Sequence, residues 1–206
     1  MLASLENIGK LYGDRLVLKN VNLQLGRRSL YLLTGRNGSG KSTLLKIIAG
    51  LARPDSGSIK KMDSLNTAYL GHDTFIYPAL TAFQNLRFWA RAYRIKADDA
   101  ALMEVLRRVR LEKRAHDQAR TFSRGMAQRL NFGRALMQGA DLYLLDEPFT
   151  GMDTASRELL SAELARLREN GAGILMVTHS PEAHTPDQIL ELAQHTLSCQ
   201  PVGRPA

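Results

Sequence analysis

Gly35-Arg36-Asn37-Gly38-Ser39-Gly40-Lys41-Ser42 is the stretch that decides the fold. It fits G-x-x-x-x-G-K-[ST] at every fixed position, and its flanks give the match meaning. Leu30-Tyr31-Leu32-Leu33-Thr34 before it reads as a short apolar strand, and Lys41 to Ala49 after it reads as a helix stopped by Gly50. Glycines let the backbone curl so that several N–H groups converge on one phosphate chain. The helix N-terminus adds roughly half a positive charge. Lys41 is expected to reach the β- and γ-phosphates of a nucleotide, and the Ser42 hydroxyl to bind Mg²⁺. Thr43 would support the phosphates through its hydroxyl or amide.

Asp141-Leu142-Tyr143-Leu144-Leu145-Asp146-Glu147 is an apolar strand ending in two acids. A buried strand delivers its last side chains to the sheet edge, where open α/β sheets bind ligands. Asp146 is placed to hold Mg²⁺, and Glu147, one residue on, is a candidate general base for an attacking water. Thr178-His179 follows the apolar run Ile174–Val177, and a histidine there can orient water and sense the phosphate.

Residues 2–8 and 16–25 read as strands joined by a turn at Gly13-Asp14, with Val17, Val21, Leu23 and Leu25 alternating as on a half-buried sheet. Pro54-Asp55-Ser56-Gly57 reads as a turn and Asn66–Leu70 as a strand. The spacing predicts helices over 82–94, 98–110 and 124–138; in the first, Phe83, Leu86, Ala90 and Tyr93 share one face. A helix is expected near Thr154–Glu169, a last strand over Gln188–Leu192, and a frayed tail from Pro201. Strand-helix alternation gives an α/β fold with a mainly parallel sheet flanked by helices. The helical stretch reads as an insertion.

Charge and composition narrow the class. Hydrophobic residues at 44% and charged residues at 23% are ordinary for a globular chain. No apolar run approaches the roughly 20 residues that span a bilayer. The N-terminus lacks the charged-then-apolar order of a signal peptide, so the chain is expected to stay in the cytosol. The net charge is +8, which permits contact with nucleic acid, anionic lipid or nucleotide phosphate. Ten Lys/Arg face five Asp/Glu between Arg87 and Arg120; a solvated helix face is the plainest reading of that surplus. A single cysteine, Cys199, allows no internal disulfide.

Taken in order, these segments resemble the ABC ATPase family over nearly the whole chain. Tyr12 resembles the aromatic residue that stacks on adenine. Phe122-Ser123-Arg124-Gly125-Met126 resembles the family's signature segment, and Gly151-Met152-Asp153 the loop after the acidic strand. His179 matches the switch histidine. The resemblance implies one cassette over 1–206: a P-loop NTPase core at about 1–81 and 139–200, with an N-terminal antiparallel β subdomain, and a helical subdomain at about 82–138. It implies ATP and Mg²⁺ as ligands and a head-to-tail pair formed with a second copy or a homologous cassette. Ser123, Arg124, Gly125 and Met126 would then contact the partner-bound ATP, and Asp153 would lie in a loop at the dimer contact. An integral membrane subunit is implied too, which would place the chain on the inner face of the cell membrane; no specific nucleic acid is expected.

Two departures stand out. Arg124 replaces a glycine and Met126 a glutamine in the signature. The glutamine that the family carries after the Asn66–Leu70 strand is also missing: counting back from Leu80-Thr81 puts His72 there, and Asp73 if the loop shifts by one. Tyr69-Leu70-Gly71-His72, Leu80-Thr81-Ala82 and Asn85-Leu86-Arg87-Phe88-Trp89-Ala90-Arg91 resemble the ATP-binding subunits of the haem exporters of cytochrome c maturation. Other small-molecule, drug or lipid exporters are the alternative. A soluble ABC protein acting on DNA or ribosomes and a cassette without ATPase activity are less supported, since neither a second cassette nor a coiled-coil insertion is present and Lys41, Asp146, Glu147 and His179 are intact. Cys199, His116, His184 and His195 receive no role.

Overall fold

The computed structural model describes residues 1–178 and 185–201. Two sheets organise it. The smaller is antiparallel, in the order β2-β1-β4, from β1 (Ala3–Tyr12), β2 (Arg15–Leu25) and β4 (Ser56–Lys61). The larger has the order β5-β6-β7-β3-β8-β9, from β3 (Leu30–Thr34), β5 (Thr67–Leu70), β6 (Leu142–Asp146), β7 (Gly173–Val177), β8 (Gln188–Ala193) and β9 (Thr196–Pro201). Its strands are parallel except β9, which returns antiparallel on β8.

Side chains alternate between the faces of a strand, and here the alternation divides the core in two. Tyr31, Leu33, Leu142, Leu144, Leu175 and Val177 join a cluster with Leu44, Leu45, Ile47 and Ile48 of α1 (Lys41–Ala49) and with the small sheet. Leu30, Leu32, Tyr143, Leu145, Ile174 and Met176 join the other, with the helices α2 (Ala82–Ala92), α3 (Asp99–Arg108), α4 (Arg124–Leu136) and α5 (Thr154–Glu169). The central strands are buried on both faces, which is why they read as continuous apolar runs.

Register sets the site. Leu33 pairs with Val177, Val177 with Asp146, and Leu145 with Leu70. The chain therefore leaves β3, β5, β6 and β7 at one rim of the sheet, and the segments starting at Gly35, Gly71, Glu147 and Thr178 emerge together.

The helices form where the spacing predicts, one or two residues shorter at their ends. Thr81 caps α2 reciprocally with Gln84, and Asp98 caps α3. β1 runs on to Tyr12 where the sequence reading ends it at residue 8, and two further strands depart from that reading. Ser56 and Gly57, read as part of a turn, open β4, and the chain does not end its sheet at Leu192 but adds β9. Both are edge strands with mostly exposed residues; Ile59 and Leu197 are their partly buried apolar contributions. An edge strand needs little apolar content, so periodicity gives no signal for it.

Candidate functional site

A cleft of about 510 Å³ opens at the shared rim. Asn37, Gly38, Gly40, Lys41, Ser42 and Thr43 form one wall, Asp146, Glu147 and His72 another, and Tyr12, Arg15 and Val17 from the small sheet a third.

The glycine loop has the shape its sequence requires. Gly35 has φ +139°, and a Cβ there would stand 2.4 Å from Leu192 O. Gly40 has φ +110°, with Val17 Cγ1 at 2.9 Å from the corresponding point. Neither position tolerates a side chain, both for backbone conformation and for space. Lys41 is buried, and its Nζ donates to Gly35 O at 2.8 Å and Arg36 O at 3.0 Å. Two of its three donors thus brace the loop. The first turn of α1 holds no acidic residue, so the helix N-terminus offers an undiminished positive end to an anion. Ser39 Oγ is buried without a hydrogen-bond partner among the described residues. Buried polar groups are normally satisfied, so this orphan hydroxyl fits a loop completed by a polar ligand.

Asp146 closes β6. Its parity with Leu142 and Leu144 turns it toward α1, where it is buried at 5% exposure. The Asp146 carboxylate and the Ser42 hydroxyl line the same cleft, a pair of hard oxygen donors of the kind Mg²⁺ prefers. Glu147 has φ +52°, a left-handed conformation that costs a residue with a side chain about 1–2 kcal/mol. Its N–H donates to Val177 O at 3.2 Å and its Oε2 accepts from Thr150 Oγ1 at 3.1 Å. Strain of this kind persists only where neighbours hold it, and it concentrates at working sites.

Of the two residues left open for the glutamine position, His72 lines the cleft and Asp73 is not among its lining residues. Tyr69, to which the sequence reading gave no role in the site, lies on the α1 side of β5. Burial, reinforced by the carboxylates of Asp146 and Asp73, pushes its phenol up to about 12. Arg15 was also missed; its guanidinium reaches Gly38 O at 3.5 Å. The first residue of an ordinary strand carries no sign of the loop it will meet.

Ser123, Arg124, Gly125 and Met126 do not line this cleft. Ser123 caps α4, its Oγ accepting from Met126 N at 3.2 Å. Arg124 is exposed, and among the described residues its guanidinium makes no hydrogen bond or ion pair. Asp153 caps α5 by accepting from Ser156 N at 2.8 Å; hydrogen bonding from the Ser156 hydroxyl first, and then from its N–H, holds the Asp153 carboxyl below the usual range. His179 lies outside the described residues.

An aromatic patch flanks the site beside the loop that begins at Gly71. Phe75, Tyr77 and Phe88 are exposed; Tyr77 and Phe88 meet edge to face at 4.6 Å, Phe88 and Trp89 at 5.3 Å. The fully buried Asn85 donates to the carbonyls of Tyr77 and Thr81 and accepts from Tyr77 N, fixing the loop that presents Tyr77. Beneath the patch Arg134 of α4 is 2% exposed. It stacks on Phe75 and Trp89, donates to Tyr69 O at 3.0 Å and Asn131 Oδ1 at 3.0 Å, and bonds the Tyr93 hydroxyl.

Among the described residues no helix is long and apolar enough to cross a membrane. Residues 18–150 match the ABC transporter family. The cytochrome c biogenesis ATP-binding export protein CcmA of Gluconobacter oxydans is 41% identical over 87% of this chain and 82% of that protein. The linearmycin resistance ATP-binding protein LnrL of Bacillus subtilis is 35% identical over 86% of this chain and 61% of its own length. The dimeric ATP-binding cassette MJ0796, in a post-hydrolysis state bound to ADP and Pi, superposes with a TM-score of 0.87 at 26% identity, covering 97% of this chain and 98% of that one.

Proposed function

This chain belongs to the ABC transporter family as an ATP-binding, ATP-hydrolysing subunit, and on that premise we propose that it powers haem export for cytochrome c maturation through a separate membrane subunit. The observation that carries the ATPase reading is the convergence of Lys41, Ser42, Asp146 and Glu147 on one cleft. The cytochrome c reading is supported by the relative CcmA, a cytochrome c biogenesis export protein, and by a match that covers most of both chains; haem as the cargo follows from the resemblance of residues 69–91 to haem exporters. LnrL, at 35% identity, favours export of another small molecule as the second reading.

In this mechanism the glycine loop and the N-terminus of α1 bind the phosphates, with Lys41 on the β- and γ-phosphates. Tyr12 lies against the adenine. Ser42 and Asp146 would hold Mg²⁺, which when bound neutralises phosphate charge. Glu147 accepts a proton from the water that attacks the γ-phosphorus as the bond to the β-phosphate oxygen breaks, and the proton ends on the released phosphate. His72 borders the water's position, and His179 keeps the switch role that the family resemblance implies. Catalysis is then positioning and charge stabilisation.

The functional unit is a pair of cassettes, each with its core at about 1–81 and 139–200 and its helical subdomain at about 82–138. Each presents Ser123, Arg124, Gly125 and Met126 to the γ-phosphate held by the other, with Asp153 near the contact. The exposed aromatic patch and the loop of His72 and Asp73 receive the membrane subunit, placing the cassette against the inner face of the membrane. Co-purification from native membranes tests this. Recovery with a membrane subunit whose loss abolishes c-type cytochromes is expected; a partner whose loss leaves them intact transfers the assignment to the second reading.

A further inference from the structure

The N-terminal half of α4 grips the loop that follows Glu147. The side-chain amide of Gln128, 6% exposed, donates to Pro148 O at 3.3 Å. A Cβ on Gly125 would lie 3.6 Å from Gly151 O, so helix and loop run about one methyl group apart, and the side chain of Arg124 lies over Gly151. Pro148 directly follows Glu147, and its ring locks φ. Little slack separates the anchored carbonyl from Glu147. On the other side the Glu147 N–H is tied to Val177 O, so the left-handed residue, which Thr150 also holds through its N–H and hydroxyl, is flanked along the chain by two bonds, one of them from α4.

We propose that Gln128 is a positioning residue for ATP hydrolysis: through Pro148 O it holds Glu147 in its left-handed conformation and ties that conformation to Ser123 at the start of the same helix. The inference rests on Glu147 as the base. Ser123 and Gln128 are five residues apart on α4, about 7.5 Å along its axis, with no flexible element between them. A displacement of Ser123, when it engages the nucleotide of the second cassette, reaches Pro148 directly. Each subunit's own base is thereby geared to what its signature segment has met.

The test uses the purified full chain with magnesium ATP. Gln128→Leu, which keeps the volume and removes the donor, should lower kcat at least tenfold with ATP affinity within twofold of wild type. Gln128→His, which restores an N–H donor, should recover a substantial part of kcat. In a Glu147→Gln background, Gln128→Leu should add no further loss, because a residue acting through the base has nothing left to position. Should Gln128→Leu not fold, Gln128→Glu keeps the length, removes the N–H donors and carries the same expectations. Wild-type turnover, an equal loss of kcat and ATP affinity, or an additive loss in the Glu147→Gln background would each overturn the proposal. Unchanged turnover in Glu147→Gln alone would remove the base assignment, a failure distinct from a normal Glu147→Gln defect combined with an inert Gln128→Leu.

Discussion

Thr150 Oγ1 donates to Glu147 Oε2 at 3.1 Å, so the carboxylate read as the base is oriented from within its own loop. A Gln side chain at 147 can accept the same bond through its amide oxygen while losing the ability to take a proton. Glu147→Gln is therefore expected to bind ATP normally, to accumulate as an ATP-bound dimer in light scattering, and to lose turnover by roughly 100-fold or more, the usual contribution of a general base. Turnover at the wild-type rate would refute the role.

Lys41 braces Gly35 O and Arg36 O while facing the cleft. Lys41→Ala removes both the brace and a charge-assisted contact to phosphate, an interaction of about 1.5–3 kcal/mol. Calorimetry should show ATP affinity falling at least tenfold; unchanged affinity would contradict the phosphate-loop reading.

Arg134 links α4, the end of β5 and the aromatic patch through one buried guanidinium. Arg134→Met leaves Tyr69 O, Asn131 Oδ1 and the Tyr93 hydroxyl without that partner. The loss should be about 3 kcal/mol, or roughly 6–12 °C in Tm for a chain of this size. A thermal melt within 2 °C of wild type would show that the network is not a stabilising one.

Burial holds the Tyr69 phenol at about 12 in the folded protein, against an unfolded value near 10. Between pH 10 and 12 the folded protein keeps a proton that the unfolded chain has released, so stability falls as pH rises through that window. Tyr69→Phe removes this contribution, and its Tm should decline less steeply over the same range. Some slope should remain, since burial also raises the Tyr143 phenol. Parallel slopes for the two proteins would contradict the assignment.

Much of this was legible in the chain itself, for identifiable reasons. β3, β6 and β7 are doubly buried, so each is a continuous apolar run with a polar residue at its exit, and the glycine loop is fixed by backbone geometry that few other residues allow. The roles of Gln128 and Tyr69 were not legible. The first depends on residues 128 and 148 meeting across 20 positions; the second depends on register, which decides which face of β5 meets α1. The choice between His72 and Asp73 likewise turns on the path of a loop with no periodicity of its own. The polar edge strands β4 and β9 escaped because hydrophobic spacing marks only what a core covers.

The split of side chains across the large sheet makes it a party wall between two rooms. Leu144 and Leu145 are neighbours in sequence but furnish opposite rooms: the first lies against the nucleotide loop's helix, the second against the helical stretch that carries Ser123. Under the proposed function, substitutions at these two adjacent positions are expected to differ in kind, one loosening the grip on ATP and the other the reach toward the second cassette.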